Sequence, residues 1–234
     1  MAALAEILQK HPIWRGGALA QAVSAIGTGF AALDAQLPGG GWPRQGLTEL
    51  LANEPGIGEL GLILPAFAGL TGAGRRGVWI APPYVPYAPA LAAAGIDLAH
   101  LLVVQAVERR EALWAAEQAL RSGSCHALAA WLPRPRYAEL QRLAVAAEAG
   151  AAIAFVFRPW AAAGESSPAG LRLGLEPAAA RLAVHLLKRR GAPAARPLHL
   201  DLERPFHVVG RASLSGARSP VARAARRLGL PVHA

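Results

Sequence analysis

With 234 residues, 53% of them hydrophobic, the chain is long enough to bury a sizeable core, and a disorder-dominated class is excluded. The longest apolar run, 61–69, falls far short of the roughly 20 residues a membrane span requires, so the expectation is a cytoplasmic protein with no membrane contact. A single cysteine, Cys125, excludes an intramolecular disulfide framework and a multi-cysteine metal site, while a formal charge of +9, almost all of it arginine, reads either as a GC-rich genome's codon bias or as a sign of acidic partners, nucleic acid or protein.

In chain order, Leu4, Ile7 and Leu8 share one face of an opening helix, available to a neighbouring subunit or to the chain's own core. A Gly-punctuated connector follows, with a short helix at 31–34 and a turn-rich break over 37–43. Residues 47–51 read as a buried strand, 60–70 as a helix that Pro65 must kink or shorten, and 78–81 as the next strand. Helix 89–94, strand 101–104, helix 109–121, strand 127–132, helix 137–149 and strand 153–157 then alternate. Such alternation predicts an α/β fold with a mainly parallel sheet covered by helices on both faces. Beyond Trp160 the pattern changes to a flexible loop at 164–170 and strands at 171–175, 181–190 and 197–202, read as a C-terminal antiparallel β extension. Ser219 and Pro220 supply an N-cap and a first-turn proline for a short basic helix at 221–228. The organisation expected is an N-terminal helix and connector over 1–25, a core over 26–160, and the extension and basic tail over 161–234.

The strand at 47–51 leads into the place where a phosphate-binding loop belongs. The working pattern, G-x-x-x-x-G-K-[ST], uses backbone N–H groups to cradle phosphates, Lys to neutralise them and a hydroxyl to hold magnesium. Here those positions are Asn53, Gly58, Glu59 and Leu60. A carboxylate in place of the ammonium repels phosphate, so no catalytic residue, nucleotide cofactor or metal site is expected. Cys125 beside His126 makes a poor nucleophile and base, because neighbouring strand residues point to opposite faces. The remaining histidines show no ligand spacing.

The order of features from 26 to 160 resembles the RecA recombinase core, carried by Ile26-Gly27-Thr28-Gly29, Gly40-Gly41-Trp42-Pro43-Arg44-Gln45-Gly46 and Gly95-Ile96-Asp97-Leu98. Against that family's pattern, Pro83 stands where the resemblance implies a water-activating glutamate, and Trp131 where it implies a Walker B aspartate. With Glu59 and Leu60, four parts of phosphoryl transfer are missing, which implies a pseudo-ATPase. The length, Pro12-Ile13-Trp14-Arg15-Gly16, the run 37–49 and Leu187-Lys188-Arg189-Arg190-Gly191 resemble the ImuA family of RecA-like proteins encoded with error-prone polymerases. That resemblance implies an accessory scaffold of damage-induced translesion DNA synthesis. The partners implied are an ImuB-like Y-family polymerase homologue, its associated error-prone polymerase and RecA. The alternative is an inhibitor of the SulA type, acting on the division protein FtsZ; an active RecA-like DNA-dependent ATPase is disfavoured by the four departures.

Candidate binding residues are arginines. Arg134 and Arg136 follow the strand 127–132, where they either meet phosphates or form a solvated, Pro-flanked turn. From Arg204 onward the chain has no acid, and Arg204, Arg211, Arg218, Arg223, Arg226 and Arg227 fall there. The last three share a helical face that could dock an acidic groove or a DNA backbone, or simply be solvated. Trp14, Trp42, Trp79, Trp114, Trp131 and Trp160 are expected mainly in the core.

Overall fold

The computed structural model describes residues 25–179, 181–189 and 196–202. The opening helix, Trp14, the arginines from Arg204 onward and the helix expected at 221–228 lie outside the described residues.

A two-stranded ribbon, β1 (Ala25–Ile26) and β2 (Trp42–Pro43), brackets the short helix α1 (Ala31–Asp34). Asp34 accepts a hydrogen bond from the Thr28 N–H at 2.9 Å, which closes the intervening turn. The main sheet begins with β3 (Gly46–Ala52) and continues with α2 (Glu59–Gly72), β4 (Arg76–Ile80), α3 (Ala88–Ala93) and β5 (Leu101–Val104). Next come α4 (Arg109–Arg121), β6 (Cys125–Trp131), α5 (Tyr137–Ala149), β7 (Ile153–Pro159), a 3₁₀ turn at Trp160–Gly164, β8 (Leu171–Ala178), β9 (Arg181–Lys188) and β10 (Leu198–Leu200).

The eight strands form one sheet in the order β10-β9-β8-β3-β7-β6-β4-β5. Every junction from β8 to β5 is parallel, whereas β8–β9 and β9–β10 are antiparallel. The antiparallel pairing expected beyond Trp160 is found at β8–β9 and β9–β10, but these strands join the main sheet. β8 pairs in parallel with β3, Glu49 opposite Arg172, so the C-terminal strands complete the same sheet. Local pattern marks a strand but not its neighbour, and β3 lies more than 100 residues upstream of β8.

Strand alternation feeds two apolar layers. Leu50, Trp79, Phe155 and Leu173 face α2, where they meet Leu62, Ile63 and Phe67. Val78, Leu128 and Val156 face α4 and α5, where they meet Leu113, Leu120, Leu140 and Leu143. Helix α4 buries Ala112, Leu113, Ala116 and Leu120, which is one stripe at helical spacing. On the other side, edge-on ring pairs lock the layer: Trp42 on Phe155 at 5.2 Å and Phe67 on Trp79 at 5.9 Å. Each such pair adds about 0.5–1.5 kcal/mol beyond burial. Helix α2 runs unbroken through Pro65.

One cluster within the sheet is ionic. Glu49 of β3, fully buried, accepts hydrogen bonds from Arg158 Nη1 of β7 at 2.8 Å and from Arg172 Nε of β8 at 2.5 Å. Arg158 Nη2 also donates to Glu165 at 2.6 Å. Arg172 donates to the carbonyls of Ala162, Ala163 and Glu165 as well. The expected flexible loop at 164–170 is accordingly an ordered segment: Arg172 holds the Glu165 carbonyl, Arg158 holds the Glu165 carboxylate, and Ala169 is fully buried.

Removing Glu49 leaves two buried guanidinium groups without their carboxylate, a change that costs about 3–5 kcal/mol in comparable sites. Glu49→Leu is expected to lower the unfolding free energy measured in urea by that amount. Adding Arg158→Met and Arg172→Met should restore much of the loss, because no uncompensated charge then remains.

Candidate functional site

The loop between β3 and α2 turns backbone N–H groups toward a side chain of the chain itself. Gly56 and Gly58 have φ of +88° and +107°, left-handed values that turn their N–H groups inward to form an anion-binding concavity. The anion is the chain's own. Glu59, the first residue of α2 and 5% exposed, folds back so that Oε1 accepts from Gly56 N–H at 2.8 Å and Oε2 from Gly58 N–H at 3.1 Å. A carboxylate at a helix N-terminus is further favoured by the helix dipole. Above it, Leu202 covers the loop: a Cβ on Gly58 would lie 2.4 Å from Leu202 Cδ1. Asn53 sits at the opening of this loop, and Leu60 packs partly buried against the α2-side core.

Beside the loop, at the C-terminal ends of the parallel strands, lies a cleft of about 310 Å³. Strand ends of this kind form the usual ligand crevice of a parallel sheet. Its walls are Leu50, Pro55, Pro83, Trp131, Pro133 and Phe157, with Glu54 and Glu59 toward the loop. Trp131 and Phe157 stack face to face at 4.6 Å with planes 8° apart, and Trp79 meets Trp131 edge-on at 5.7 Å. The tertiary structure thus gathers three positions scattered in the sequence, Glu59, Pro83 and Trp131, around one cleft. Its lining is chiefly rings and prolines, and the arginine among the lining residues, Arg158, is already engaged by Glu49 and Glu165.

The loops around the cleft leave large apolar side chains in solvent. Tyr84, Val85 and Tyr87 follow β4 at 69%, 86% and 68% exposure, and Val107 follows β5 at 97%. Arg134 and Arg136 are exposed on the β6–α5 loop. That loop is clasped to the β5–α4 loop. Arg109 Nη1 donates to Glu139 Oε2 at 2.6 Å and to the Arg134 carbonyl, and the Arg136 N–H donates to the same carboxylate oxygen at 2.7 Å. Burial pushes the Glu139 carboxyl up, but the hydrogen bonds from Arg109 and Arg136 N–H and the two guanidinium charges outweigh it and hold it below its ordinary value.

Other candidates fall elsewhere. Trp42 and Trp79 are core residues as expected, but Trp114 projects from α4 at 65% exposure, which corrects its core assignment. Burial pushes the Cys125 thiol up to about 12, and its S–H points to the Ala127 carbonyl at 3.3 Å, so it is inert at neutral pH. Among the described residues no group of His, Cys, Asp and Glu could hold a metal ion. No described helix is long and apolar enough to cross a membrane. Sequence reasoning missed the ionic cluster Glu49, Arg158 and Arg172 and the exposed loop 84–87. The available signals were an acid inside an apolar strand, an arginine inside Leu171-Arg172-Leu173, and unpaired aromatics after β4.

Fold and site define an α/β protein whose loop between β3 and α2 is filled by its own carboxylate and whose strand-end cleft is lined mainly by apolar rings and prolines. Comparison with known proteins gives the family. The model of the family described as cell division inhibitor SulA matches residues 47–154. A cell division inhibitor SulA from Edwardsiella piscicida is 36% identical over 118 residues, covering 50% of this chain and 70% of that protein. The crystal structure of SulA from Pseudomonas aeruginosa is 29% identical, covers 48% of this chain and 97% of that one, and superposes with a TM-score of 0.41. This chain belongs to the SulA family.

That membership overturns two expectations. The RecA-like P-loop core and the ImuA assignment give way to SulA, because any doubly covered parallel sheet imposes the same alternation of apolar strand and amphipathic helix. The ImuB-like polymerase homologue, its error-prone polymerase, RecA and DNA fall as partners with it, since the matching proteins are described as cell division inhibitors. A family of inhibitors agrees with the reading of a protein that is not an enzyme.

Glu59→Ala empties the concavity and leaves the Gly56 and Gly58 N–H groups without their acceptor. A loss of about 2 kcal/mol is expected in thermal or urea unfolding. The intact protein, titrated with labelled ATP and magnesium, should give no saturable isotherm, because Glu59 and Leu202 occupy the loop. In a second measurement, a thiol reagent at neutral pH should leave Cys125 unmodified in the native protein and label it fully once the chain is unfolded.

Proposed function

We propose that this protein inhibits cell division by binding the division protein FtsZ, as a stoichiometric inhibitor made during the SOS response to DNA damage. The observation that carries this reading is the SulA family match over 47–154, the segment from β3 to β7 that contains the filled loop and most of the cleft wall. The chemistry of the site supports it. An inhibitor that acts by occupancy needs a complementary surface and no turnover, and a loop closed by Glu59 and Leu202 retains none of the groups that turn over a nucleotide.

The basic tail, Arg204, Arg211, Arg218, Arg223, Arg226 and Arg227, belongs to this reading as a steering element. Clustered positive charge raises the encounter rate with an acidic partner at low salt. A chain ending before Arg204 should still bind, with a slower and less salt-sensitive association.

Expression of the intact chain in dividing bacteria is expected to give filamentous cells. Purified protein should lower the sedimentation of FtsZ polymers in proportion to its concentration, with the effect complete near equimolar ratio. Normal septation together with unchanged polymer sedimentation at a several-fold excess would refute the proposal.

A further inference from the structure

We infer that the partner docks on the C-terminal ends of the parallel strands, placing an apolar side chain against the Trp131–Phe157 stack and an acidic group against Arg134 and Arg136. This rests on the reading above that FtsZ is the partner; it adds the surface and the chemistry of the contact. Along this edge the sheet order runs β3, β7, β6, β4, β5. Glu54 therefore stands at one end, the arginine loop after β6 in the middle, and Tyr84, Val85, Tyr87 and Val107 at the other end.

The apolar half of the argument is the contrast in exposure. A cleft walled by Leu50, Trp131, Phe157 and four prolines opens beside a loop whose Tyr84, Val85 and Tyr87 are more than two-thirds exposed. Soluble proteins rarely leave such residues together in water unless a partner covers them, and aromatic anchors in pockets carry most of the energy of protein contacts. The site does not suit a nucleotide, since its phosphate end is filled by Glu59.

The charged half fixes the kind of partner. In the β6–α5 loop the basic groups are Arg134 and Arg136, and the one acid that follows, Glu139, is already engaged by Arg109 and the Arg136 N–H. At the neighbouring start of α4, Arg109 and Arg110 stand between Glu108 and Glu111, so the charges there cancel. The excess positive charge lies at 134 and 136, in a chain of formal charge +9. Across the cleft, Glu54 repels an acid, so the partner's acidic group is directed to the β6 side. The segment matched by the family model, 47–154, contains all of these rim residues. Binding of an acidic protein surface with an apolar centre satisfies both halves at once.

The test measures the affinity of purified FtsZ for the full-length chain and its variants by surface-immobilised binding, with unfolding midpoints as a control. Val85→Asp puts a charge at an 86% exposed site and should weaken binding about tenfold or more without moving the midpoint. If Val85→Asp lowers the midpoint, Tyr84→Ser/Tyr87→Ser serves in its place, with the same expected loss. Arg134→Glu/Arg136→Glu should cost about tenfold at low salt and make the affinity less salt-dependent. Arg44→Glu, at the opposite, N-terminal end of β3, should bind within about twofold of the unaltered chain. Unaltered affinity in the Val85 and arginine variants would overturn the docking surface while leaving the inhibitor reading intact. So would an equal loss in Arg44→Glu, which would make the charge effect non-local. No binding by the unaltered chain would overturn both.

Discussion

Burying one carboxylate in the middle of a sheet forces the surrounding structure to supply its counter-charges, and Glu49 imposes that demand here. Fully inaccessible on β3, it is met by Arg158 and Arg172 at 2.8 and 2.5 Å from the strands on either side. Satisfying it fixes three things at once. β7 and β8 must flank β3, the register must bring Arg172 opposite Glu49, and the spare donors of Arg172 must be met by the carbonyls of 162, 163 and 165. The sheet passes from parallel to antiparallel pairing directly beyond this point, between β8 and β9. A misregistered β8 would strand a buried charge, so the cluster selects one arrangement over its neighbours.

The same logic, in a milder form, shapes the loop at the end of β3. Inward-facing N–H groups at the start of a helix attract an anion, and leaving them unpaired under a cover such as Leu202 would be costly. Glu59 resolves this from within the chain. Next to it, the strand ends carry Pro83 and Trp131, and the ring stack of Trp131 on Phe157 gives the crevice an apolar floor. A site of this composition favours contact with apolar protein side chains over charged small molecules. The function therefore follows from what surrounds the cleft more than from any single reactive group.

Much of the fold was legible from periodicity. Strands at 47–51, 101–104 and 153–157 and helices at 109–121 and 137–149 were expected within a residue or two of where they lie, because each buries one continuous stripe or alternating face. The three C-terminal strands were legible as strands, but their place in the sheet was not. The loop at 164–170 looked flexible because its composition is small and polar, whereas its order comes from arginines on β7 and β8. Family identity was legible only coarsely. A broken phosphate loop in a strand and helix alternation fits more than one family, and the element order did not separate an ImuA-type scaffold from a SulA-type inhibitor.

By itself the sequence determined the class of elements and their order, and it fixed a carboxylate at 59, a proline at 83 and an aromatic ring at 131. Only the tertiary structure decided where the Glu59 carboxylate goes, that Glu49 meets arginines 109 and 123 positions away, and that one edge of the sheet presents both an apolar cleft and exposed arginines. The physical reason is range. Propensity and periodicity act within one or two turns of chain, whereas pairing across a parallel sheet joins residues whose separation in sequence is set by whichever crossover comes between them.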